Sequence, residues 1–465
     1  MEKLKVKDIV RVTNGELIIG DENIECENFS KDTRQINKGD IYIGIKGEKF
    51  DGSKFWKEAL NDGAVGVIVE NMDISNEEIN TYKDRIIIKV EDTLKALYKL
   101  ATYKRSLYDI PVIAITGSVG KTSTKDLVSS VVSQKYKTLK TIGNNNNNIG
   151  LPLTILRLKD EEALVLEMGM NHFGEIKLLS KIAKPTICVI TNIGTSHIGN
   201  LGSRENILKA KLEILEGAKN PTIVINNDND LLHKWYEENK ENKNIKTYGI
   251  ENKSDFNAKD IILKSSGSEY NCIIDDEKIN IKVPTGGEHF VLNSLCAIAV
   301  GKALNIPNSK IKNGIETFEL TNKRMEITKV KDEIQIINDA YNASYESMKA
   351  SLKVLSKFDN KRKIAVLGDM FELGEYSKEL HEKVGEEVTN NNIDILICSG
   401  ENSKYIIEKA KERMNIENIY YLKEKEEIIS LLEKIVKKED VILFKASNGM
   451  KFYELAERVI NLWEK

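Results

Sequence analysis

The stretch Ile113-Ala-Ile-Thr-Gly-Ser-Val-Gly-Lys-Thr-Ser-Thr-Lys125 narrows the possible folds more than any other part of the chain. Pro111 to Ile115 is an apolar run that reads as a buried strand. Gly117 and Gly120 open a tight turn, and Leu127, Val128, Val131 and Val132 mark the apolar face of a helix. A strand feeding a helix through glycines aims backbone N–H groups, the helix dipole and the Lys121 ammonium at one anion. Gly117, Ser118, Gly120, Lys121, Thr122 and Ser123 are therefore the expected phosphate contacts, and the Thr122 hydroxyl is placed to hold a Mg²⁺ that bridges phosphates. Ile115 stands where the general phosphate-loop pattern has its first glycine. A Gly-Lys-Thr triplet alone reads equally as a turn with a solvated lysine; the strand before it and the helix after it select nucleotide binding.

At 465 residues the chain exceeds one ordinary core, and usual domain sizes give about three. Lys and Arg total 69 against 72 Asp and Glu, interspersed along the chain, which argues against a nucleic-acid partner and against membrane electrostatics. The amino terminus alternates charged and apolar residues, and no apolar run approaches the ~20 residues of a membrane span, so no membrane insertion is expected. Cys26, Cys188, Cys272, Cys296 and Cys398 form no Cys-x-x-Cys pair. They read as buried thiols of a reducing cytoplasm.

The order of elements predicts an α/β protein of three domains: residues 1–107, a small amino-terminal α/β unit; 108–321, a central parallel sheet with an antiparallel extension; and 322–465, a Rossmann-like α/β unit. In the first, Ile41–Ile45, Val65–Val69 and Ile86–Val90 are strand-like, with a helix over Phe55–Leu60. Its polar clusters, Ser30-Lys-Asp-Thr-Arg34 and Lys46-Gly-Glu-Lys-Phe-Asp-Gly52, read either as solvated turns or as a diphosphate site. In the second, strands at Leu164–Glu167, Thr186–Thr191 and Thr222–Asn226 end in polar residues, where open α/β sheets bind ligands. Phe256–Val283 alternates as the antiparallel extension, and Asn144–Asn148 form a loop bracketed by Gly143 and Gly150. The third has strands at Ile334–Asn338, Ile364–Leu367, Ile393–Cys398 and Val441–Phe444, with Asp339, Asp369, Ser399 and Lys445 after strand ends.

Glu167 ends a strand as an acidic magnesium ligand does, and His197 follows the next strand. Ser203 is an expected N-cap, after which Ile207, Lys211 and Leu215 fall on one helical row beside Leu208 and Leu212. Lys211 then points inward and Lys209 outward. An inward ammonium has no lone pair for Mg²⁺; carbamylation by CO₂ would turn it into an anionic oxygen ligand.

These motifs resemble those of the ATP-dependent Mur ligases of peptidoglycan synthesis, over nearly the whole chain. Thr116–Thr122 resembles their shortened phosphate loop, Gly143–Pro152 their asparagine loop and Glu167–Ile176 their metal-glutamate segment, while His197 and Lys211 resemble their histidine and carbamylated lysine. Asp32-Thr33-Arg34, Lys46-Gly47, Asn338–Lys349 and Leu367–Gly374 resemble the branch that adds D-Ala-D-Ala to UDP-N-acetylmuramoyl-tripeptide.

The resemblance implies ATP, two Mg²⁺ ions and a carbamate on Lys211 as cofactors, and a cytoplasmic monomer. Glu167, His197 and Lys211 join Thr122 as metal ligands, with Lys121 catalytic. His289, Asn293, Arg324 and Asp339 would contact the nucleotide. The uridine-diphosphate peptide and the amine would meet Asp32, Thr33, Arg34, Lys46, Gly47, Asn144, Asn146, Asn147, Tyr341, Asn342, Lys445 and Ser447. Three sites on three domains imply that closure assembles the reaction centre. The chain departs from the family at Asn342-Ala-Ser-Tyr345, where Asn-Ala-Asn-Pro is usual, and at Lys445-Ala-Ser-Asn448, where Lys-Gly-Ser-Arg is usual. The choice of amine is expected at these departures.

Overall fold

A computed structural model describes residues 4–47, 50–70, 73–264, 267–320 and 324–464. Glu48 and Lys49 of the first polar cluster pair, Ser265 and Ser266 in the extension, the boundary at Thr321 and Asn322, and the first three residues lie outside the described residues. The fold is mixed α/β with mainly parallel sheets, and the chain divides into two compact units. One holds Met1–Ile115, Tyr136–Cys188 and Leu212–Thr222; the other holds Thr116–Lys135, Val189–Lys211 and Ile223–Lys465.

In the first unit a five-stranded sheet runs in the order Glu16–Ile19, Ile86–Val90, Gly66–Glu70, Ile41–Ile43, Phe29–Ser30. Only the first pair is antiparallel. The β-branched runs Val67–Val69 and Ile86–Ile88 are fully buried, as central parallel strands covered on both faces must be. Trp56, Ala59 and Leu60 of the helix Trp56–Asn61 pack on Tyr42, Val67 and Ile87. The helix Thr93–Ser106, which periodicity did not reveal, starts where the Asp92 side chain accepts from the Lys95 N–H at 2.8 Å. A second group of strands, Thr138–Lys140, Ala163–Glu167 and Val112–Thr116, pairs in parallel and brings Glu167 level with Ile115.

In the second unit Thr222–Asn226, Ile245–Gly249 and Phe256–Lys264 pair in parallel. Gly267–Ile274 and Glu277–Val283 then add antiparallel strands, the expected extension. A six-stranded sheet runs Glu326–Lys329, Gln335–Asn338, Val441–Lys445, Lys363–Gly368, Ile395–Ser399, Ile419–Tyr421. Its four inner strands are those read from sequence; the two short edges carry too few residues to show a period. The helix Lys121–Val132 buries every residue from Thr122 to Ser129, more than its apolar face alone. It packs closely at Gly314, where a Cβ would lie 2.7 Å from the Val131 Cα.

All five cysteines are buried free thiols, and burial pushes Cys26, Cys188, Cys272 and Cys296 up to about 12. None of the described helices is long and apolar enough to cross a membrane.

Candidate active site

The phosphate loop is built from its own glycines and from the strand end beside it. Gly120 sits at φ 78°, in the left-handed region, and caps the helix that Lys121 begins. At Gly117 a Cβ would fall 1.9 Å from Thr191 Oγ1, so only glycine permits the approach. Ser118 N–H donates to the Asn192 carbonyl at 3.0 Å, Val119 N–H to Asn192 Oδ1 at 2.9 Å, and Asn192 Nδ2 and Thr191 Oγ1 both donate to the Val119 carbonyl. Lys121 Nζ folds over the turn and donates to the Gly117 carbonyl at 2.7 Å and to that of Ser118 at 3.3 Å. Thr122 and Ser123 are buried behind it.

Asn293 approaches from the helix Glu288–Ala303. Its Oδ1 accepts from Thr124 Oγ1 at 3.0 Å and would lie 3.4 Å from a Cβ on Gly120. Its Nδ2 is buried and has no hydrogen-bond partner among the described residues. An orphaned buried donor costs about 1–3 kcal/mol unless a ligand accepts from it, so it marks a place for a hydrogen-bond acceptor. His289 precedes it on the same helix, and burial lowers its imidazole to about 4, against the pull of Asp339.

Lys211 lies inward on the helix Arg204–Leu212, whose start is capped by Ser203 Oγ, while Lys209 is exposed. Its side chain is 1 % exposed, and among the described residues nothing forms an ion pair or hydrogen bond with its ammonium. Burial, reinforced by the charge of Lys121, pushes it well below the ordinary lysine range. The row around it differs from expectation. Ile207, Ala210 and Ile214 are buried, whereas Leu208, Leu212 and Leu215 are half-buried. The α-helix ends at Leu212 and a tighter 3₁₀ turn, Glu213–Leu215, rotates Ile214 inward in place of Leu215.

His197 adopts φ 65°, and its Nδ1 is hydrogen-bonded to the Glu372 carboxylate. Glu372 lies just after the strand Lys363–Gly368, inside a motif the sequence singled out, but its partner lies 175 positions away. Thr195 is likewise held by Glu346. Neither contact has a local signal.

Beyond these, Asp339 accepts from Lys445 Nζ at 2.5 Å, from Ser351 Oγ at 2.6 Å and from the Met325 N–H at 3.1 Å. Burial would raise its carboxyl, but Lys445 and Ser351 overcome that and hold it below the usual range. Lys445 also donates to the Asn342 carbonyl at 3.3 Å. The Arg324 guanidinium stacks 4.4 Å above the Tyr341 ring. Ser447 Oγ accepts from the Phe371 N–H at 2.8 Å. At the two departures, Ser344 caps the helix Tyr345–Leu355, Tyr345 donates to Glu387 at 3.2 Å and Asn448 Nδ2 donates to the Tyr341 carbonyl at 2.9 Å.

In the first unit Glu167 is 2 % exposed and accepts from Asn146 Nδ2 at 2.8 Å. Asn147 Oδ1 accepts from the Ile149 and Gly150 N–H groups, so it caps the next helix, while Asn144 is exposed. Arg34 forks onto Asp32 at 2.8 and 2.7 Å, with Thr33 opening the intervening turn. Lys46 Nζ pairs with Glu70 at 3.1 Å and Gly47 N–H donates to the Phe50 carbonyl at 2.7 Å.

Three family models match the chain: the Mur ligase family catalytic domain over residues 27–105, the Mur ligase middle domain over 115–301 and the Mur ligase glutamate ligase domain over 323–448. The UDP-N-acetylmuramoyl-tripeptide–D-alanyl-D-alanine ligase of Bacillus subtilis is 36% identical over 464 residues, covering 99% of both chains. That of Synechocystis is 36% identical over 92% of this chain and 91% of its own. Among solved structures, MurF from Acinetobacter baumannii superposes with a TM-score of 0.89 at 28% identity, covering 99% of each chain. MurF ligase from Thermotoga maritima in complex with ADP gives 0.80 at 31% identity, over 94% of this chain and 97% of that one.

Proposed function

This chain belongs to the Mur ligase family of ATP-dependent, amide-forming enzymes, and we propose that it joins D-alanyl-D-alanine to UDP-N-acetylmuramoyl-tripeptide, releasing ADP and phosphate. The tripeptide carboxylate attacks the γ-phosphorus of ATP, forming an acyl phosphate as the bond to ADP breaks. The dipeptide amine then attacks the acyl carbon, loses a proton and expels phosphate. Lys121 and the N–H groups of the loop 117–122 stabilise charge on the transferred phosphoryl group, the larger part of catalysis in such transfers. Asn293 Nδ2 supplies its unused hydrogen bond to the nucleotide, alongside His289, Arg324 and Asp339.

Thr122, Glu167, His197 and Lys211 are each assigned as a Mg²⁺ ligand by the chemistry of its own side chain, and Mg²⁺ when bound would neutralise phosphoryl oxygens and orient the carboxylate. Lys211 is the observation that carries the reading. A buried lysine with no ion-pair partner among the described residues, held well below its ordinary range by burial, is biased toward the uncharged amine, the form that reacts with CO₂. Its nitrogen lone pair adds to the carbon of CO₂, a C=O electron pair moves onto oxygen and the nitrogen releases a proton, leaving an anionic carbamate where the amine itself offers no oxygen donor.

Residues 1–107 take the uridine diphosphate through Asp32, Thr33, Arg34, Lys46 and Gly47; residues 108–321 take ATP; residues 322–465 take the amine through Tyr341, Asn342, Lys445 and Ser447. Asn144, Asn146 and Asn147 serve the peptide. ATP as donor and five unpaired thiols support a cytoplasmic location.

The test is ADP release, with mass analysis of the product, across several UDP-muramyl peptides crossed with D-Ala-D-Ala, D-Ala-D-lactate and single amino acids. Turnover that requires the tripeptide and D-Ala-D-Ala together is expected. Turnover only with a single amino acid would assign a sibling ligase, and nucleotide binding without turnover a silent paralogue.

A further inference from the structure

We infer that Glu346 and Glu372 are positioning residues that grip the loop Gly194–His197 from two sides, so that the segment reading the amine also sets the histidine ligand and the phosphate loop. The inference rests on the ligase reading above. Both carboxylates lie in the second unit with the loop they hold. Glu346, in the first turn of the helix Tyr345–Leu355, accepts from the Thr195 N–H at 2.8 Å with one oxygen and from Thr195 Oγ1 at 3.1 Å with the other. Gly194 makes this possible: a Cβ there would lie 2.6 Å from the Glu346 carboxyl carbon.

On the other side, the Glu372 side chain bonds His197 Nδ1 and its carbonyl accepts from the Gly199 N–H at 3.0 Å. Tyr376 Oη donates to the Gly202 carbonyl at 2.8 Å, and a Cβ on Gly199 would meet the Glu372 carbonyl oxygen at 2.7 Å. The gripped loop in turn supports the phosphate loop. Gly194 N–H donates to Ser118 Oγ at 2.9 Å, and Ser196 Oγ donates to the Ser118 carbonyl at 3.3 Å.

The consequence is mechanical and chemical together. A carboxylate on Nδ1 fixes the proton there and leaves the lone pair on Nε2, the nitrogen free to serve as a ligand. His197 holds a left-handed backbone at φ 65°, with Glu372 bonded to its ring and Glu346 bonded to Thr195 two residues before it. Glu346 follows Tyr341 and Asn342, the proposed amine residues, on the same short stretch. Amine loading and loop setting therefore share one piece of backbone.

The test compares Glu346→Ala, Glu346→Gln, Glu372→Ala and Glu372→Gln with the native full-length chain. Each alanine variant is expected to lower kcat about 10–100-fold, the usual cost of losing an orienting partner, while KM for ATP changes little. Glu372→Gln recovers most of the rate, because its amide oxygen still accepts from His197, and Glu346→Gln recovers part of it, because one of the two accepting oxygens is kept. Independently of turnover, ¹⁵N spectra of histidine-labelled protein without nucleotide or metal should show His197 as the Nδ1–H tautomer, assigned with His197→Gln, and a tautomer mixture in Glu372→Ala. Native rates in both alanine variants, or an unchanged His197 tautomer in Glu372→Ala, would overturn the proposal. If the native chain turns over no substrate pair, the ligase reading fails, and the tautomer measurement still decides the grip.

Discussion

Two helices each bury a lysine, and they treat it in opposite ways. On Lys121–Val132, Lys125 is 1 % exposed and its Nζ lies 3.0 Å from the equally buried Asp126 carboxylate. On Arg204–Leu212, Lys211 is equally buried with no such partner. The first is a charge compensated within the fold. The second is a charge that burial disfavours, which holds the amine well below the ordinary lysine range, and such a position suits the proposed chemistry on the amine. Lys445 with Asp339 repeats the first arrangement in the six-stranded sheet.

The contrast can be broken by changing one partner at a time. Asp126→Asn removes the buried carboxylate that lies beside Lys125, and a loss of stability is expected, read as a fall in the denaturant midpoint at constant m-value. Lys121→Ala removes the cation proposed to act on the transferred phosphoryl group, together with its bonds to the Gly117 and Ser118 carbonyls. It should lower kcat about 10²–10³-fold with little change in melting temperature; an undiminished rate would remove the phosphate-loop assignment.

Lys211→Met should show the reverse pattern, losing ligation while keeping or gaining stability, because it deletes a buried amine whose charged form the fold disfavours. The pH sign follows. The unfolded chain takes up a proton that folded Lys211 refuses, so native stability rises with pH up to the ordinary lysine range near 10.4, and Lys211→Met flattens that rise. A melting temperature of Lys211→Met well below native at every pH would contradict the contrast. The smallest effect is at His289. With its folded value near 4 and an unfolded value near 6.5, native stability falls as pH drops from about 6.5 toward 4, and His289→Gln should reduce that slope in melts across the window.

What the sequence made legible follows the range of the interactions. The phosphate loop was readable because strand, glycines, lysine and helix are contiguous, and Lys211 because an i, i+4 row is local. The row's far end was misplaced because a 3₁₀ turn changes the period, which no residue type in Glu213–Leu215 announces. The helix Thr93–Ser106 escaped because Lys104 and Arg105 are buried and blur its polar face; Arg105 caps the Ala183, Tyr108 and Ile110 carbonyls instead of facing water. Glu346, Glu372 and Asn192 were invisible for a different reason. Their partners lie across folds of chain that no spacing rule connects, and each becomes meaningful only once the loop after Ile187–Ile190 is seen to be gripped and to brace Ser118.

The proposal that Lys211 is carbamylated is tested most directly by ¹³C NMR of the full-length chain in ¹³C-bicarbonate. The account predicts one carbamate resonance in the native protein that disappears in Lys211→Ala. No such resonance in the native chain, or one that persists in Lys211→Ala, would contradict it.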